Sequence, residues 1–376
     1  MPMKVAIACY PTYGGSGVVA TELGLGLAER GHEVHFLSYQ PPQRLGLAGT
    51  VTANVWYHEV QVTAYPLFRY PPYDLALASK MVEVTQAHGV EVLHAHYAVP
   101  HAISAVLARM MLGNGVKVLT TLHGTDVTLV GQEKSYLAAT RFGIERSDAV
   151  TAVSKHLREE TKRVLCEACD IEVIYNFVDT ERYVPRACPE TRAHFAERGE
   201  KVLLHISNFR AVKRPADVVK VFAGIRKEMP ARLLLVGEGP ELPRAEAEAE
   251  RLGVRDGVHV LGQRGEVERI LPCADLFLLP SETESFGLAA LEAMACGVPP
   301  VASAVGGLPE VAEDGVSGIL QPVGDTEGMA ARALAVLKDP AAWRAMSVAA
   351  RTRAERDFDR SLWIGAYEDA YRRLLA

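Results

Sequence analysis

Short apolar runs alternate with helical patterns along most of the chain. In the first half, the apolar runs predict strands at Val5–Cys9, Val34–Ser38, Val55–Val62, Val92–His96, Val118–His123, Ala149–Val153 and Glu172–Tyr175. Apolar positions at helical spacing predict helices at Gly17–Arg30, Asp74–Ala87, Pro100–Leu112, Tyr136–Ser147 and Lys155–Val164. Strands that alternate with helices in this way are typical of parallel sheets covered by helices. The pattern therefore predicts an α/β protein.

The same pattern restarts in the second half, where it predicts strands at Val202–Ser207, Arg232–Val236, Val258–Leu261, Leu276–Leu279 and Pro300–Ala302. The polar segment between the halves carries Pro185 and Pro189, which argue against a continuous helix or strand there. We therefore expect an N-terminal domain, a linker and a C-terminal domain over residues 1–180, 181–200 and 201–355. Trp363, Tyr367 and Tyr371 then recur at helical spacing, which predicts an amphipathic helix that packs into a core.

Composition narrows the classes of function. The chain has 376 residues, of which 49% are hydrophobic, enough for two domains with well-filled cores. The formal net charge of −6 provides no basic stripe, so the sequence disfavours a nucleic-acid partner. No apolar run reaches membrane-spanning length, and the first residues lead directly into a strand rather than a signal peptide. We therefore expect no membrane partner and a cytoplasmic location.

The six cysteines are scattered along the chain. Without a secretory start, this distribution favours reduced thiols over a disulfide framework. Cys166 and Cys169 form one close pair, but a second pair of ligands, which a structural metal site needs, is missing beside them. We therefore expect a structural role for both thiols.

Two glutamates, Glu284 and Glu292, lie eight residues apart across the start of a predicted helix. The strand at Leu276–Leu279 precedes them, and Gly297 and Pro299 close the helix. Ligands of open α/β sheets bind where such strand-to-helix loops open, and the free N–H groups of the helix start suit phosphate. Sugar-nucleotide chemistry uses this arrangement, although two solvated glutamates would explain the spacing alone.

A glycine-rich turn, Gly14-Gly15-Ser16-Gly17, follows the first strand. Residues 15–20 match the dinucleotide fingerprint, which also requires an acidic residue after the second strand. That position reads Ser38-Tyr39-Gln40-Pro41-Pro42, so nicotinamide binding is disfavoured. The turn is open to a phosphate contact, an acceptor contact or a purely structural role.

A basic turn, Arg210-Ala211-Val212-Lys213-Arg214, follows the first strand of the second half. It places three cations at a carboxyl end of the predicted sheet, where a diphosphate needs positive charge when no metal neutralises it. An exposed basic turn without a ligand is the alternative explanation.

Candidate metal ligands lack a complete set. His94 and His96 share one face of a strand, but no third ligand recurs at suitable spacing, so we expect buried, hydrogen-bonded imidazoles. His123 differs because it ends a strand at the expected edge of the site. Asp357-Phe358-Asp359 lies between helices rather than after a buried strand, which indicates a surface position. The sequence therefore predicts no metal and no cofactor.

These features, together with Asn176-Phe177-Val178-Asp179, occur in the order found in the family-4 retaining glycosyltransferases of GT-B architecture, which the whole chain resembles. The resemblance implies two Rossmann-like domains facing a cleft. It also implies an acceptor-binding N-terminal domain, a nucleotide-sugar-binding C-terminal domain, and a C-terminal helix at residues 356–376 that crosses back to the N-terminal domain.

Within that family, the chain resembles the members that act in bacillithiol synthesis. The motifs that carry this likeness are Cys9-Tyr10-Pro11, Gly14-Gly15-Ser16-Gly17, Tyr70-Pro71-Pro72-Tyr73-Asp74, His94-Ala95-His96-Tyr97, Thr121-Leu122-His123-Gly124-Thr125-Asp126 and Ser207-Asn208-Phe209-Arg210. The resemblance implies a hexosyltransferase that moves N-acetylglucosamine from UDP-GlcNAc to the hydroxyl of L-malate with retention. That reaction would be the first step of bacillithiol synthesis and would need no metal.

The resemblance also implies site residues. Catalytic roles are expected for His123, Lys213, Arg210 and Glu284, and nucleotide-sugar contacts for Gly15, Asn208, Arg210, Lys213, Phe286, Gly287, Leu288 and Glu292. Acceptor contacts are expected from Ser16, Tyr97, Thr125, Arg141 and Lys80, with Arg69 as a further candidate. Lys213 matches the family's diphosphate lysine. The arginine usually found five residues earlier is Asn208 here, so Arg210 is expected to replace it.

Rival functions stay open at this point. The same transferase could use another anionic acceptor such as inositol phosphate, or the fold could carry an epimerase. A non-catalytic UDP-sugar sensor would bind the donor without releasing UDP. The oligomeric state is also open, with a homodimer among the possibilities.

Overall fold

The computed structural model describes residues 2–12, 14–42, 44–45, 53–128, 130–197 and 199–376. The chain forms two compact units, one of Met1–Asn176 with Arg360–Ala376 and the other of Phe177–Asp359. Residues 181–200, the expected linker, are grouped with the second unit. Each unit is built on a parallel sheet flanked by helices, so the predicted α/β fold with two Rossmann-like domains is confirmed.

The first unit contains a seven-stranded sheet in the order β3-β2-β1-β4-β5-β6-β7. Its strands are β1 Lys4–Ala8, β2 Glu33–Ser38, β3 Val55–Glu59, β4 Val92–His96, β5 Lys117–Leu122, β6 Ala149–Ala152 and β7 Glu172–Val173. Its helices include α1 Gly15–Glu29, α2 Tyr73–His88, α3 Ile103–Met111, α4 Thr125–Thr128, α5 Leu137–Arg146 and α6 Lys155–Val164. The strand order reverses between β1 and β4, which marks the usual ligand position of such sheets.

The second unit contains a six-stranded sheet in the order β10-β9-β8-β11-β12-β13. Its strands are β8 Lys201–Ile206, β9 Ala231–Val236, β10 Val258–Gly262, β11 Leu276–Leu279, β12 Pro300–Ser303 and β13 Ile319–Gln321. Its helices include α7 Pro189–Ala193, α8 Pro215–Arg226, α9 Leu242–Arg251, α10 Leu288–Ala295, α11 Leu308–Val311, α12 Thr326–Lys338 and α13 Pro340–Phe358. The order reverses between β8 and β11. The pattern analysis missed β13, whose three residues are too few to show a period.

Both cores follow from strands that are covered on two faces and are therefore apolar along their length. Strand β1 buries four consecutive residues from Val5 to Ala8, and β11 buries all of Leu276–Leu279. On the second sheet, Phe222 of α8 packs in one cluster with Leu233 and Leu278. No helix among the described residues is long and apolar enough to cross a membrane.

The C-terminal helix, Arg360–Leu375, belongs to the first unit. It approaches α1 so closely that a Cβ on Gly26 would lie 2.1 Å from Cδ1 of Ile364. Glu368 accepts from Arg30 at 2.6 Å and lies 2.8 Å from the imidazole of His32. The amphipathic pattern thus correctly predicted a packed helix.

Two tyrosines of the C-terminal helix reach the polar interior of the sheet. Tyr367 and Tyr371 are both buried, and the Tyr371 hydroxyl lies 2.7 Å from Nδ1 of His94 on β4. The Tyr367 hydroxyl lies 3.3 Å from Oγ1 of Thr121 on β5. These contacts exceed the purely apolar packing role expected from the sequence.

The expectation of reduced thiols is wrong for one pair, because Cys166 and Cys169 form a disulfide. The turn after α6 brings their Cα atoms to 5.5 Å, a separation that composition alone does not reveal. The remaining cysteines are free, namely Cys9, Cys188, Cys273 and Cys296.

Replacing Tyr371 by Phe should lower the free energy of unfolding by about 1–3 kcal/mol, because Nδ1 of the buried His94 would lose its partner. Urea unfolding followed by circular dichroism measures this change. Tyr65→Phe is the matched control, since Tyr65 is 53% exposed. Equal effects of the two substitutions would contradict a stabilising role for the Tyr371 hydroxyl.

Candidate active site

In the second unit, the loops after β8 and β11 meet at the point where the strand order reverses. Lys213, in the turn after β8, places Nζ 2.5 Å from Oε1 of Glu284 in the loop after β11. The Ser281 hydroxyl donates to the same oxygen at 2.9 Å. The backbone N–H of Glu282 donates to the carbonyl of Val212 at 2.8 Å, which joins the two loops. The structure therefore brings together two residues predicted to be catalytic.

The loop that carries Glu284 packs against glycine backbone after β12. Gly306 has φ +60°, and a Cβ there would lie 1.7 Å from the Glu284 carbonyl oxygen. The next residue, Gly307, donates its N–H to that same oxygen at 2.9 Å. A side chain at position 306 would therefore displace Glu284. Neither glycine was predicted from the sequence, although the pair follows a strand end.

Helix α10 begins beside this loop. Gly287 precedes the helix with φ +99°, and Phe286 is buried with its ring edge against Phe358. The first N–H groups of a helix have no partner within it, so the start of α10 presents donors at the carboxyl edge of the sheet. The predicted phosphate contacts of residues 286–288 thus lie on suitable backbone.

Glu292 lies further along α10 and is only 8% exposed. The hydroxyl of Tyr183, itself buried, donates to Oε1 of Glu292 at 3.0 Å. This bond fixes the orientation of the carboxylate before any ligand arrives. Tyr183 was not predicted, because it lies 109 residues away along the chain.

The three cations of the basic turn after β8 differ in their partners. Lys213 pairs with Glu284, and Arg214 pairs with Asp217 at 2.6 Å. Arg210 and Asn208 are both exposed at this edge. The turn packs tightly on the one after β9, where a Cβ on Gly239 would lie 1.9 Å from the Asn208 carbonyl oxygen. Of the three cations, Arg214 is engaged in starting α8, which leaves Lys213 and Arg210 as the candidates for a diphosphate.

In the first unit, the glycine-rich turn follows β1, at the point where the strand order reverses between β1 and β4. Gly15 and Ser16 are the first residues of α1. A Cβ on Gly17 would lie 2.5 Å from the Tyr10 carbonyl oxygen, so this position requires glycine. The ring of Tyr10 in turn makes an edge contact with Tyr97, at 5.4 Å between centroids.

Tyr97 and the strand-end histidines form one aromatic cluster. Tyr97 follows β4 with φ +92°, and its ring centroid lies 5.3 Å from that of His123. Nδ1 of His96 is 2.9 Å from Nε2 of His123, while His101 donates through Nδ1 to the His96 carbonyl at 2.5 Å. The expectation of buried, hydrogen-bonded histidines is confirmed for His94 and His96.

Burial keeps these imidazoles uncharged. It lowers the pKa of His94 and of His123 to about 3, that of His101 to about 4, and that of His96 well below its usual value. Among the described residues, Nε2 of His96 and Nε2 of His101 have no hydrogen-bond partner. Buried polar atoms of this kind are costly unless a ligand or water satisfies them. The cluster is therefore a candidate ligand site that carries no positive charge.

Asp126 organises the loops around this cluster. Its carboxylate accepts from the backbone N–H of Gly124 at 2.8 Å and from those of His123 and Ala98 at 3.2 Å. Burial raises the pKa of Asp126 to about 6, against the lowering effect of these bonds. Asp126 belongs to the motif at residues 121–126, but no role was predicted for it. An acid just after a glycine at a strand end is typical of loop capping.

The other predicted acceptor residues have separate surroundings. Thr125 begins the one-turn helix α4 and is half-buried. Arg141 donates to the carbonyl of Val164 at the end of α6, and Lys80 pairs with Glu83 at 2.7 Å. The guanidinium of Arg69 lies 5.5 Å from the centroid of the Tyr70 ring. Acceptor binding by these side chains stays a prediction.

Similarity to known proteins covers both units. Residues 13–182 match the family Glycosyltransferase Family 4, and residues 189–353 match Glycosyl transferases group 1. The chain is 49% identical over 372 residues to N-acetyl-alpha-D-glucosaminyl L-malate synthase of Bacillus anthracis, covering 99% of this chain and 97% of that protein. It is 30% identical to D-inositol 3-phosphate glycosyltransferase of Mycobacterium marinum, covering 85% and 72% of the two chains.

Solved structures share the fold. The crystal structure of Anabaena Alr3699/HepE in complex with UDP and glucose matches with a TM-score of 0.82 at 20% identity, covering 98% of this chain and 99% of that one. Sucrose-phosphate synthase from Thermosynechococcus elongatus matches with a TM-score of 0.79 at 24% identity, covering 99% of each chain. At these identities the likeness concerns the fold alone.

The uncharged imidazoles predict a loss of stability in acid. Because the pKa of His123 is lower in the folded protein than in the unfolded chain, the unfolded chain binds more protons as pH falls from about 6.5 to about 3. Each such group adds a slope of up to about 1.4 kcal/mol per pH unit. Asp126 opposes this between about pH 4 and 6, since its pKa is raised. Unfolding free energy should therefore fall steeply below pH 6.5.

Urea unfolding of the wild type and of His123→Asn between pH 5 and 7.5 measures this dependence. The variant should show a shallower slope, because one imidazole that resists protonation has been removed. His156→Asn, at an exposed position, is the control and should keep the wild-type slope. A slope that is the same in all three proteins would contradict the role given to the buried imidazole.

Proposed function

The chain belongs to the family-4 glycosyltransferases, and we propose that it transfers N-acetylglucosamine from UDP-GlcNAc to the hydroxyl of L-malate with retention at the anomeric carbon. The observation that carries this proposal is 49% identity over nearly the full length of this chain and of a relative so named. We propose the reaction as the first step of bacillithiol synthesis. A cytoplasmic location and a homodimer stay predictions from the sequence.

The second unit supports the donor half of the proposal. Glu292, oriented by the Tyr183 hydroxyl at 3.0 Å, offers a carboxylate for the two ribose hydroxyls of UDP. The backbone N–H groups of residues 286–288 would receive phosphate oxygens at the start of α10. Lys213 and Arg210 would supply the positive charge that a diphosphate needs, which is why we propose a reaction without a metal.

The ion pair between Lys213 and Glu284 gives each partner a further role. An ammonium held 2.5 Å from a carboxylate is already oriented in the loop where the donor would bind. The donor diphosphate would share Lys213 with Glu284, and Glu284 would lie near the donor sugar. Charge that develops on the leaving diphosphate would then meet a preformed cation, which is the arrangement that lowers the barrier.

The first unit supports the acceptor half. Ser16, Tyr97 and Thr125 offer neutral donors near the switch point. We propose Arg141 as the cation for the malate carboxylates, since Lys80 pairs with Glu83 and lies beside His58. His123 is a poor general base, since its pKa of about 3 leaves it little affinity for a proton at neutral pH. We therefore propose that its imidazole orients the donor sugar by hydrogen bonding.

The proposed chemical step needs no protein nucleophile. The malate hydroxyl oxygen forms a bond to the anomeric carbon on the face from which the diphosphate leaves, as the bond from that carbon to the diphosphate oxygen breaks. The hydroxyl proton passes to the departing diphosphate oxygen, so the products are the N-acetylglucosaminyl malate and UDP. Lys213 and Arg210 stabilise the charge on the leaving group.

A transferase that uses an inositol phosphate is the second candidate, because a relative named for that acceptor is 30% identical. Both reactions would use the same donor half and differ only in the first unit. A UDP-sugar sensor and an epimerase differ from both in the products that they release.

The deciding experiment measures UDP release from UDP-GlcNAc in the presence of EDTA, with L-malate, D-malate, inositol phosphate or no acceptor. We expect release only with L-malate, together with a product of the summed mass and α configuration. Release with inositol phosphate instead would support the second candidate. Release without acceptor would indicate hydrolysis or epimerisation, and donor binding without release would indicate a sensor.

Replacing Glu292 by Gln should weaken donor binding by roughly 10–100-fold, since a hydrogen bond to a charged carboxylate contributes about 1.5–3 kcal/mol. Steady-state kinetics should show this as a raised KM for UDP-GlcNAc, with KM for L-malate nearly unchanged. Glu250→Gln, at an exposed position of α9, is the control. An unchanged donor KM in Glu292→Gln would contradict ribose binding by this carboxylate.

A further inference from the structure

Three histidines that are far apart in the sequence meet at one side of the first sheet. His35 lies on β2, His58 on the neighbouring edge strand β3, and His88 is the last residue of α2. Imidazole nitrogens of all three lie within 4.8 Å of one another. We propose that His35, His58 and His88 bind a divalent transition-metal ion of the zinc type at a site separate from the candidate active site.

The spacing of the nitrogens suits a shared ion. Nδ1 of His35 lies 2.9 Å from Nε2 of His58. Two imidazole nitrogens bonded tetrahedrally to one zinc at about 2.0–2.1 Å are themselves roughly 3.3–3.4 Å apart, so this pair would need to open by only about 0.4–0.5 Å to hold the ion. The ring of His88 lies 4.6 Å from that of His35 and 5.4 Å from that of His58, and supplies the third. A small movement of its side chain completes the set.

A carboxylate fixes the orientation of His35. Nε2 of His35 lies 3.1 Å from Oε1 of Glu33, and Lys4 holds the other carboxylate oxygen at 3.4 Å. An imidazole that donates Nε2–H to Glu33 keeps the lone pair on Nδ1, the atom that faces His58. A metal-binding histidine usually has such a carboxylate on its second nitrogen. The arrangement therefore goes beyond a chance meeting of three rings.

The surroundings also suit a cation. His88 ends α2, and the carboxyl end of a helix carries partial negative charge. The indole of Trp56 stacks on His35 at 4.9 Å and covers one side of the cluster. Lys80, a nearby positive charge, is paired with Glu83 at 2.7 Å. Three imidazoles leave a fourth position for water, as zinc tolerates.

The site would join three separate elements of the first unit. Among the described residues, strand β3 forms the edge of the seven-stranded sheet and pairs with β2 alone. A bound ion would link this edge strand to β2 and to the end of α2. We therefore expect metal binding to raise the resistance of the first unit to unfolding.

The test uses full-length protein without a histidine tag, freed of metal by chelation, and titrates it with Zn²⁺ against a chromophoric competitor. We expect roughly one equivalent to bind tightly enough to compete with the chromophore, and the melting temperature to rise. His58→Asn and His88→Asn should each lose the tight equivalent and the melting shift. Both side chains are half-buried, so these variants avoid disturbing the buried His35.

Three further variants separate this site from other zinc ligands. Glu33→Gln should still bind zinc, but about 10–100-fold more weakly, because the carboxylate orients His35 without touching the ion. His194→Asn and Cys188→Ser lie in the second unit and should bind as the wild type does. Tight zinc that persists in both His58→Asn and His88→Asn, or that is lost in Cys188→Ser, would overturn the proposal. Failure of the wild type to compete with the chromophore for zinc would do the same.

Discussion

Parallel strand pairing is the constraint on which both halves of this protein depend. Each pairing between the named strands of both sheets is parallel, so the carboxyl ends lie along one edge in each unit. The loops that leave this edge carry the glycine-rich turn, His123, Lys213 and Glu284. Parallel pairing also requires crossover helices, and these begin at the same edge with their free N–H groups. The position of the site thus follows from sheet topology before any side chain is considered.

The two units differ in the charge of the side chains at these edges. In the second unit, the charged side chains have partners. Lys213 pairs with Glu284, and the carboxylate of Glu292 accepts a hydrogen bond from the Tyr183 hydroxyl. In the first unit, burial leaves the imidazoles of the histidine cluster neutral, so positive charge for the malate carboxylates comes from other side chains. The charged residues of the second unit suit a diphosphate. The neutral imidazoles of the first unit suit a neutral sugar hydroxyl, which must be selected by hydrogen bonds.

Linear spacing revealed the parts of the site that lie close together in the sequence. Glu284 and Glu292 were found because one loop and one helix carry both, and Lys213 because it follows a strand. Tyr183 reaches Glu292 only through the fold, and Gly306 contacts Glu284 from the loop after another strand, so no local pattern predicts either contact. Arg214 and Asp217 are only three residues apart, but which cation of the basic turn pairs with Asp217 depends on the turn geometry. The Cys166–Cys169 pair is local in the sequence, but its disulfide was not predicted because the distribution of the cysteines favoured reduced thiols.

The contact between Tyr371 and His94 bears on how the chain matures during its synthesis. Residues 177–359 form a unit that is complete once they have left the ribosome, whereas the first unit also needs residues 360–376. Until that last segment emerges, His94 and Thr121 lack the tyrosines that cover them in the finished fold. The segment made first is therefore the one finished last, and chaperones have the longest opportunity to act on the N-terminal sheet.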